Sequence, residues 1–330
     1  MEKFSEKKYL IEISHRTVIF TIFFLLLLKL LWEIKNIIFS LIIAFIIMSA
    51  LKPLVNFLTK FKLPKSLAVI IIYFLFIFFV ISLFYIIIPP LAIETSNLFR
   101  QFPDYFNQIF PDKDYLNLNF ITQQGIQLTS ETLKIAKTIF SNLLFITSTL
   151  FFSIYFTLEE DIIKKIFINF LSPENISYAK TIFSQVENRL KNWFWGELIL
   201  MSIIGIFSYI GLTIINLPYA FPLAVLAGLL EVVPNIGPVL STIPAAIIGL
   251  AISPYYFFAV IALYFIIQQT ENNLIVPLVM EKAVNLNPII TLFSLLVGGQ
   301  IAGVAGVLLA VPIVLILETV LIEVVKKYKN

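Results

Sequence analysis

The sequence predicts an all-α polytopic membrane protein of about 7–8 transmembrane helices, including two hairpins broken by proline and glycine. The chain is 59% hydrophobic with a mean hydropathy of +0.96, whereas soluble domains are about 45–50% apolar. Several stretches stay apolar for about 15–23 residues, enough for helices to match a hydrocarbon layer of about 30 Å. These stretches do not alternate as the strands of a barrel would, so helices are the expected spans.

The composition also excludes several kinds of chemistry. The chain contains no cysteine, which excludes disulfides, thiolate metal sites and a cysteine nucleophile. His15 is the only histidine and lies in a polar N-terminal arm, so we expect no metal site and no histidine triad inside the membrane. The net charge of +3 is spread over loops, which gives no support to nucleic-acid binding. No phosphate-binding loop motif is present, so we expect no nucleotide cofactor and an energy source in ion gradients.

The pattern of apolar runs and charges divides the chain into four parts. Residues 1–90 are predicted to form a three-helix membrane segment, whose third span is expected to end at Pro89-Pro90. Residues 91–138 are mixed and polar, and are predicted to be an extracytoplasmic loop region. Residues 139–196 are predicted to hold the fourth span and a cytoplasmic amphipathic helix. Residues 197–330 are predicted to be a transport-like core that contains the broken hairpins.

Basic residues concentrate in segments that the parity of spans places on one side of the membrane. These are the N-terminal arm, the 52–65 loop, the 159–196 segment and the C-terminal tail. By the positive-inside rule this side is the cytoplasm, so both termini are expected there. Ser172-Pro173-Glu174 is typical of a helix start, with an N-cap, a proline at the first helical position and an acid in the first turn.

Proline and glycine interrupt two apolar segments of the core, and these interruptions predict hairpins at 221–252 and 287–312. Each leg of the first is about 13 residues, or roughly 20 Å, which is short for a full span and favours a re-entrant hairpin. Because the span before the first hairpin runs outward and the span before the second runs inward, the two hairpins are predicted to be inverted relative to each other. The expected hinge residues are Pro234, Gly237, Pro238, Pro277, Gly298, Gly299 and Gly303.

A few acids and amides lie within these apolar segments, where an ionisable side chain is costly and suggests function. Gln268, Glu271 and Asn272 follow i, i+3, i+4 spacing, which predicts one helix face carrying a carboxylate between amides. Such oxygen groups suit H⁺, Na⁺ or a polyhydroxylated solute, although amides in membrane helices also simply bond to neighbouring helices. The candidate substrate- or ion-binding residues are Glu231, Asn235, Gln268, Glu271, Asn272, Asn273 and Gln300.

Several motifs of the chain resemble the AI-2E family of bacterial membrane proteins, the autoinducer-2 exporter-like transporters. The resemblance rests chiefly on Glu231-Val232-Val233-Pro234-Asn235-Ile236-Gly237-Pro238, Glu271-Asn272-Asn273 with Pro277, and Gly298-Gly299 through Gly306 to Ala310-Val311-Pro312; Lys52-Pro53-Leu54-Val55 and Trp195-Gly196-Glu197 add to it. Relatives often have glutamine at the position of Glu197 and a neutral residue at that of Glu231. These two departures add carboxylates to the core.

The resemblance implies a multi-pass protein of the bacterial inner membrane that contacts membrane lipids and forms a homo-oligomer, for which a pentamer is one option. It implies export of small solutes such as autoinducer-2 for some members, and Na⁺(Li⁺)/H⁺ antiport for others. The leading prediction is therefore a gradient-driven secondary transporter of a small polar solute or a cation, and not an enzyme. The alternatives are an Na⁺/H⁺ antiporter without an organic substrate and a non-transporting membrane scaffold; an intramembrane hydrolase is a distant third.

Overall fold

The computed structural model describes residues 15–109, 143–159, 165, 172–234, 236–280 and 286–329. These residues are helical apart from short turns, and no strand occurs among them, which confirms the all-α prediction. In chain order the described helices are α1 (His15–Glu33), α2 (Lys35–Thr59), α3 (Lys65–Ile109), α4 (Leu143–Leu158), α5 (Pro173–Ile214), α6 (Ala220–Leu230), α7 (Gly237–Ile252), α8 (Pro254–Thr270), α9 (Val276–Met280) and α10 (Pro288–Lys329). A π turn, Glu271–Ile275, joins α8 to α9.

Four helices in the described part of the chain are long and apolar enough to cross a membrane. By length and composition these helices lie at Lys35–Thr59, Lys65–Leu83, Pro173–Ile214 and Ile289–Lys327, the last of which is interrupted at Ala302 and Gly303. Shorter apolar helices include α4, α6 and α7. Many large apolar side chains of the described helices are exposed, among them Phe74 of α3 at 68% and Phe265 of α8 at 62%. Lipid is the solvent in which such a surface is stable, so the chain is a multi-pass membrane protein.

The third helix differs from its prediction. Pro89-Pro90 was expected to end it, but α3 continues to Ile109, so that expectation is wrong. Each proline removes one backbone donor, but a long helix that stays paired on either side can tolerate the loss, as membrane helices often do. The expected start of the fourth span, at 139–142, lies outside the described residues, and α4 runs from Leu143 to Leu158 as expected.

One helix, α5, joins the expected cytoplasmic segment to the fifth span. It begins as predicted, because the Ser172 side chain caps it by accepting a hydrogen bond from the Asn175 backbone N–H. It then runs without interruption for 42 residues to Ile214, past the boundary expected between 196 and 197. At about 1.5 Å per residue it is roughly 63 Å long, twice the thickness of the hydrocarbon layer. The amphipathic segment and the span are therefore parts of a single rigid element.

The main core packs around α5. Its buried side chains, such as Leu190, Ile204 and Leu212, join one apolar cluster with residues of α2, α6, α8 and α10. A smaller cluster holds α2 against α3 through Val55 and Val69. Buried hydroxyls add hydrogen bonds between helices, as where Tyr73 Oη lies 2.6 Å from Ser153 Oγ. Small polar contacts of this kind stabilise helix pairs in membranes by about 1 kcal/mol each.

Charged contacts join helices at the end of α5 that is expected to face the cytoplasm. Lys52 of α2 donates to Glu187 of α5 at 2.7 Å, and Arg189 of α5 pairs with Glu318 of α10. About two helical turns further on, the Trp195 indole N–H donates to the Ala50 carbonyl at 3.1 Å. These contacts hold α2, α5 and α10 together beside the segment of α5 that carries Glu197.

Candidate functional site

The first break in the core lies between α6 and α7. Helix α6 ends at Leu230 and α7 begins at Gly237. Pro238 occupies the first turn of α7, where its missing N–H costs nothing. Gly237 is needed at the start of α7 because a Cβ there would overlap the Leu230 carbonyl. The break places Glu231, which is only 2% exposed, directly after α6.

The π turn positions a second acid. Glu271 is its first residue, and the Val276 N–H donates to the Glu271 carbonyl, five residues back instead of four. Pro277 follows in α9. Single π turns inside α-helices are frequent at functional sites, because the extra residue re-aims a side chain. The turn begins at Glu271, which is 3% exposed.

Three carboxyl groups from different elements meet in the core, and we call them the carboxyl cluster: Glu197, Glu231 and Glu271. The Glu231 and Glu271 side chains hydrogen bond to each other. Glu197 interacts electrostatically with both partners. All three are buried, with exposures of 4%, 2% and 3% respectively. Each still has one carboxyl oxygen without a hydrogen-bond partner, so the cluster has acceptor capacity to spare.

The hydrogen bond within the cluster has a chemical consequence. Two carboxyl groups can bond to each other only if one of them carries a proton, since carboxylates only accept. Pairs of this kind hold one proton between them, because two negative charges a few ångströms apart repel. The Glu231–Glu271 pair can therefore hold one proton within the core.

Glu197 is not among the residues predicted for the site, although it was expected to add a carboxylate to the core. The available signal was its position on α5. Glu197 lies at helical spacing with Leu190, Trp193, Leu200 and Ile204, all of which are buried. An acid on the buried stripe of a membrane helix is a functional candidate by default.

None of the described amides predicted for the site is buried with the carboxyl cluster. Asn272, Asn273 and Gln300 are exposed, and Gln268 is half-buried. The reason is helical phase: the buried stripe of α8 runs through Ile267 to Glu271, and Gln268 and Asn272 each lie one residue beyond it, about 100° around the helix. The Asn273 side chain instead donates to Gln269. Asn235, at the first break, lies outside the described residues.

The second break lies within α10 and is a reversal of the chain. Ala302 and Gly303 leave helical geometry, with Gly303 at φ +58° and ψ −136°. Helical segments 288–301 and 304–329 flank this point. They approach so closely that a Cβ on Gly298 would overlap the Gly306 carbonyl, and a Cβ on Gly306 the Gly298 carbonyl. Pro/Gly breaks thus occur inside both predicted hairpins.

Besides the carboxyl cluster, the described core holds other buried oxygen groups. In the described ranges no group of three or more acidic or histidine side chains is close enough to enclose a metal ion. Ser208 and Tyr264, on the same buried stripes of α5 and α8, add two buried hydroxyls. The polar chemistry of the described core is thus carboxyl and hydroxyl oxygen.

An all-α membrane fold with broken helices around buried acids defines a membrane transporter by class. The family model "AI-2E family transporter" matches residues 18–326, so the chain belongs to the AI-2E family. The "Putative transport protein YrrI" of Bacillus subtilis is 26% identical over 93% of this chain and 93% of its own length. The "Putative transport protein YueF" of the same organism is 26% identical, covering 90% of this chain and 86% of the relative.

A third relative carries a more specific name. The "AI-2 transport protein TqsA" of Escherichia coli is 25% identical over 87% of this chain and 86% of its own length. The relatives are named as transport proteins or permeases, which supports a transport role and gives no sign of enzymatic activity. The predicted family is thereby confirmed.

Proposed function

We propose that the protein is a gradient-driven secondary transporter that exports a small polar solute in exchange for protons taken up by the carboxyl cluster. The observation that carries the proposal is the hydrogen bond between the buried Glu231 and Glu271 carboxyl groups. Its proton lies inside the core, between the break that follows α6 and the π turn that begins at Glu271. Interrupted helices of this kind are where transporters open a site to either side. The name of the relative TqsA makes AI-2, a small polar signal molecule, the first solute to test.

In the proposed cycle, the Glu231–Glu271 pair alternates between a shared proton and none. Proton loss leaves two buried negative charges that repel, and this repulsion favours movement of the break at 231–236 away from the π turn. Uptake of a proton from the other side lets the two carboxyl groups bond again. Glu197 lies beside the pair and supplies a third acceptor.

The proposal includes the expected re-entrant geometry of both hairpins. Helix α6 has 11 residues and α7 has 16, so they reach about 17 Å and 24 Å, less than the roughly 30 Å hydrocarbon layer. Segment 288–301 is about 21 Å long by the same measure. We propose that α6 and α7 dip into the membrane from the outside, and that the second hairpin dips in from the cytoplasm.

Cysteine labelling tests this geometry in a chain that has no cysteine of its own. Val239 and Val304 are exposed residues directly after the two breaks, at 61% and 78%. If the hairpins were full spans, V239C would lie on the cytoplasmic surface and V304C on the outer surface. We expect neither residue to react with an impermeant maleimide on that surface at the rate of a loop cysteine, and loop-like rates would contradict re-entrant hairpins.

Proteoliposomes test the function itself. With purified protein in sealed vesicles, we expect an imposed proton gradient to drive AI-2 flux, and AI-2 to drive a pH change. Glu271→Gln and Glu231→Gln should each lower the initial rate by about tenfold or more, because a neutral amide cannot exchange the shared proton. Glu174→Gln, an exposed acid in the first turn of α5, is the matched control and should retain the rate.

Other outcomes separate the remaining functions. A pH change driven by Na⁺ or Li⁺ with no solute flux would favour a cation antiporter. The absence of any flux from protein that remains folded would favour a membrane scaffold. Full activity in both E231Q and E271Q would show that the carboxyl cluster is not the coupling site.

A further inference from the structure

The buried stripe of α8 does not continue in simple α-helical phase beyond the π turn. Val260, Tyr264, Ile267 and Glu271 are buried at α spacing. At 3.6 residues per turn the same stripe would pass next through Ile275 and then Leu278. Ile275 is indeed buried, but Leu278 is 82% exposed, whereas Met280 is only 9% exposed. The buried face has therefore shifted by one to two residues within this short stretch.

The extra residue in the π turn explains the shift. A π turn adds one residue of phase, so the buried face moves from position 278 to Val279 and Met280. There these two side chains contact Gly196 of α5, where a Cβ would lie 2.8 Å from Met280 Sδ and 3.6 Å from Val279 Cγ1. Gly196 immediately precedes Glu197 of the carboxyl cluster. The π turn thus lets one stretch of chain hold Glu271 in the cluster and Met280 against α5.

Pro277 supplies a reason for the turn to remain a π turn. Its ring would clash with the Asn273 carbonyl in a regular α-helix, and it has no N–H to donate there. In the wider turn the N–H of the preceding residue, Val276, bonds to the Glu271 carbonyl, whereas in a regular α-helix it would bond to the carbonyl four residues back. Pro277 is exposed, so its effect is exerted through the backbone and not through packing of its side chain.

We propose that Pro277 is a positioning residue for the Glu231–Glu271 pair: it holds the π turn open, and the turn fixes the phase that brings Glu271 to Glu231 while Met280 stays on Gly196. This inference rests on the proposed function, in which that pair exchanges the coupled proton. If the turn closed to a regular α turn, α9 would rotate by about 100° relative to α8. Glu271 and Met280 could then no longer both keep their partners.

A substitution that permits the α turn tests the proposal. Pro277→Ala restores an N–H and removes the ring, so we expect the turn to close and the transport rate in proteoliposomes to fall by about tenfold or more. Pro53→Ala is the matched control, because Pro53 is likewise exposed inside a helix, α2, but has no π turn beside it. We expect P53A to retain the wild-type rate.

Removal of one residue should rescue the defect. Leu274 is 59% exposed within the π turn, and deleting it from the P277A variant gives a regular α-helix in which Glu271, Ile275 and Val279 share one face. We expect this double variant to recover most of the lost rate, which a merely structural role for Pro277 would not predict. A P277A rate equal to that of P53A, or a double variant no faster than P277A, would overturn the inference.

The distance between a label on α9 and a label on α5 measures the helical phase after the π turn and does not depend on transport. Spin labels at Leu278→Cys and Ile199→Cys, both exposed positions, report the rotation of α9 against α5. We expect P277A to change this distance by several ångströms, since a helix with its side chains is about 10–12 Å wide, and the deletion to restore it. Unchanged distances with normal flux would overturn the inference and leave the proposed function intact.

The remaining outcomes are also decisive. If the distances change and recover as expected but the wild-type chain carries no flux, the proposed function fails while the phase role of Pro277 stands. Should P277A not be recovered as folded protein, the double variant decides by itself. A double variant that is folded and transports supports the inference, and one that is folded but inactive overturns it.

Discussion

At the scale of single residues, the core of this protein contains buried acids, which are rare in membrane helices. Glu197, Glu231 and Glu271 are all at least nine-tenths buried, and a charge at such a depth costs several kcal/mol. The sequence predicted two of these three residues, because acids in apolar runs can be recognised without a structure. It could not show that they meet, since they come from α5, the first break and the π turn, far apart along the chain.

Glu197 is expected to modulate the pair without being part of it. Its carboxyl group acts on Glu271 electrostatically, whereas Glu231 and Glu271 share a hydrogen bond. We predict that Glu197→Gln lowers the initial transport rate by only a few-fold, clearly less than E271Q. Initial rates in proteoliposomes with E174Q as the control measure this. A loss in E197Q as large as that in E271Q would mean that the three acids act as one unit.

Glycines at the contact of α5 with α6 provide a prediction about stability. A Cβ on Gly228 would lie 2.7 Å from the Met201 carbonyl and 3.2 Å from the Gly205 Cα, whereas a Cβ on Gly205 would find only ordinary contacts, the nearest at 3.6 Å. We predict that Gly228→Ala destabilises the fold by about 1–3 kcal/mol through overpacking, and that Gly205→Ala is tolerated. Thermal unfolding in detergent measures both. Equal stability of the two variants would contradict the close contact seen here.

At the scale of elements, local rules failed where they predicted ends of helices and succeeded where they predicted breaks. Pro89-Pro90 does not end α3, but Pro238 and Gly237 do mark the start of α7. At Pro89-Pro90 the prolines only remove backbone donors. At the first break, the start of α7 also lies so close to the Leu230 carbonyl that only glycine fits at position 237. The missing donor can be recognised from the sequence, whereas the close approach depends on the tertiary structure.

The second break depends on one glycine for conformational reasons. Gly303 has φ +58°, and a Cβ there would meet nothing within 4 Å, so any cost of a side chain comes from the backbone. We predict that Gly303→Ala destabilises the protein by roughly 1–3 kcal/mol despite the open space, because essentially only glycine adopts this combination of φ and ψ. Gly299→Ala, whose Cβ would press only on the side chain of Val307 at 3.3 Å, should cost less. A G303A variant as stable as the wild type in thermal unfolding would contradict a left-handed conformation there.

At the scale of the whole molecule, the charge distribution predicts the orientation in the membrane. The turn between α2 and α3 is flanked by lysines and contains Phe61, which is 64% exposed; Tyr255, 78% exposed, begins α8. We predict that Y255C reacts with an impermeant maleimide on intact cells, and that F61C reacts only after permeabilisation. The reverse pattern would invert the orientation and with it the sides proposed for the two hairpins.

The sequence by itself determined the class of the protein, its family and two of its three buried acids. These features can be recognised from the sequence because hydropathy, charge bias and the positions of proline and glycine are local properties. In lipid, where backbone groups must bond within their own segment, these properties decide where helices form and where they break. Only the tertiary structure decided that α5 is one continuous helix, that Glu197 joins Glu231 and Glu271, and that a π turn shifts the buried face between Glu271 and Met280. Those features depend on helical phase and on contacts between distant segments, which no local pattern contains.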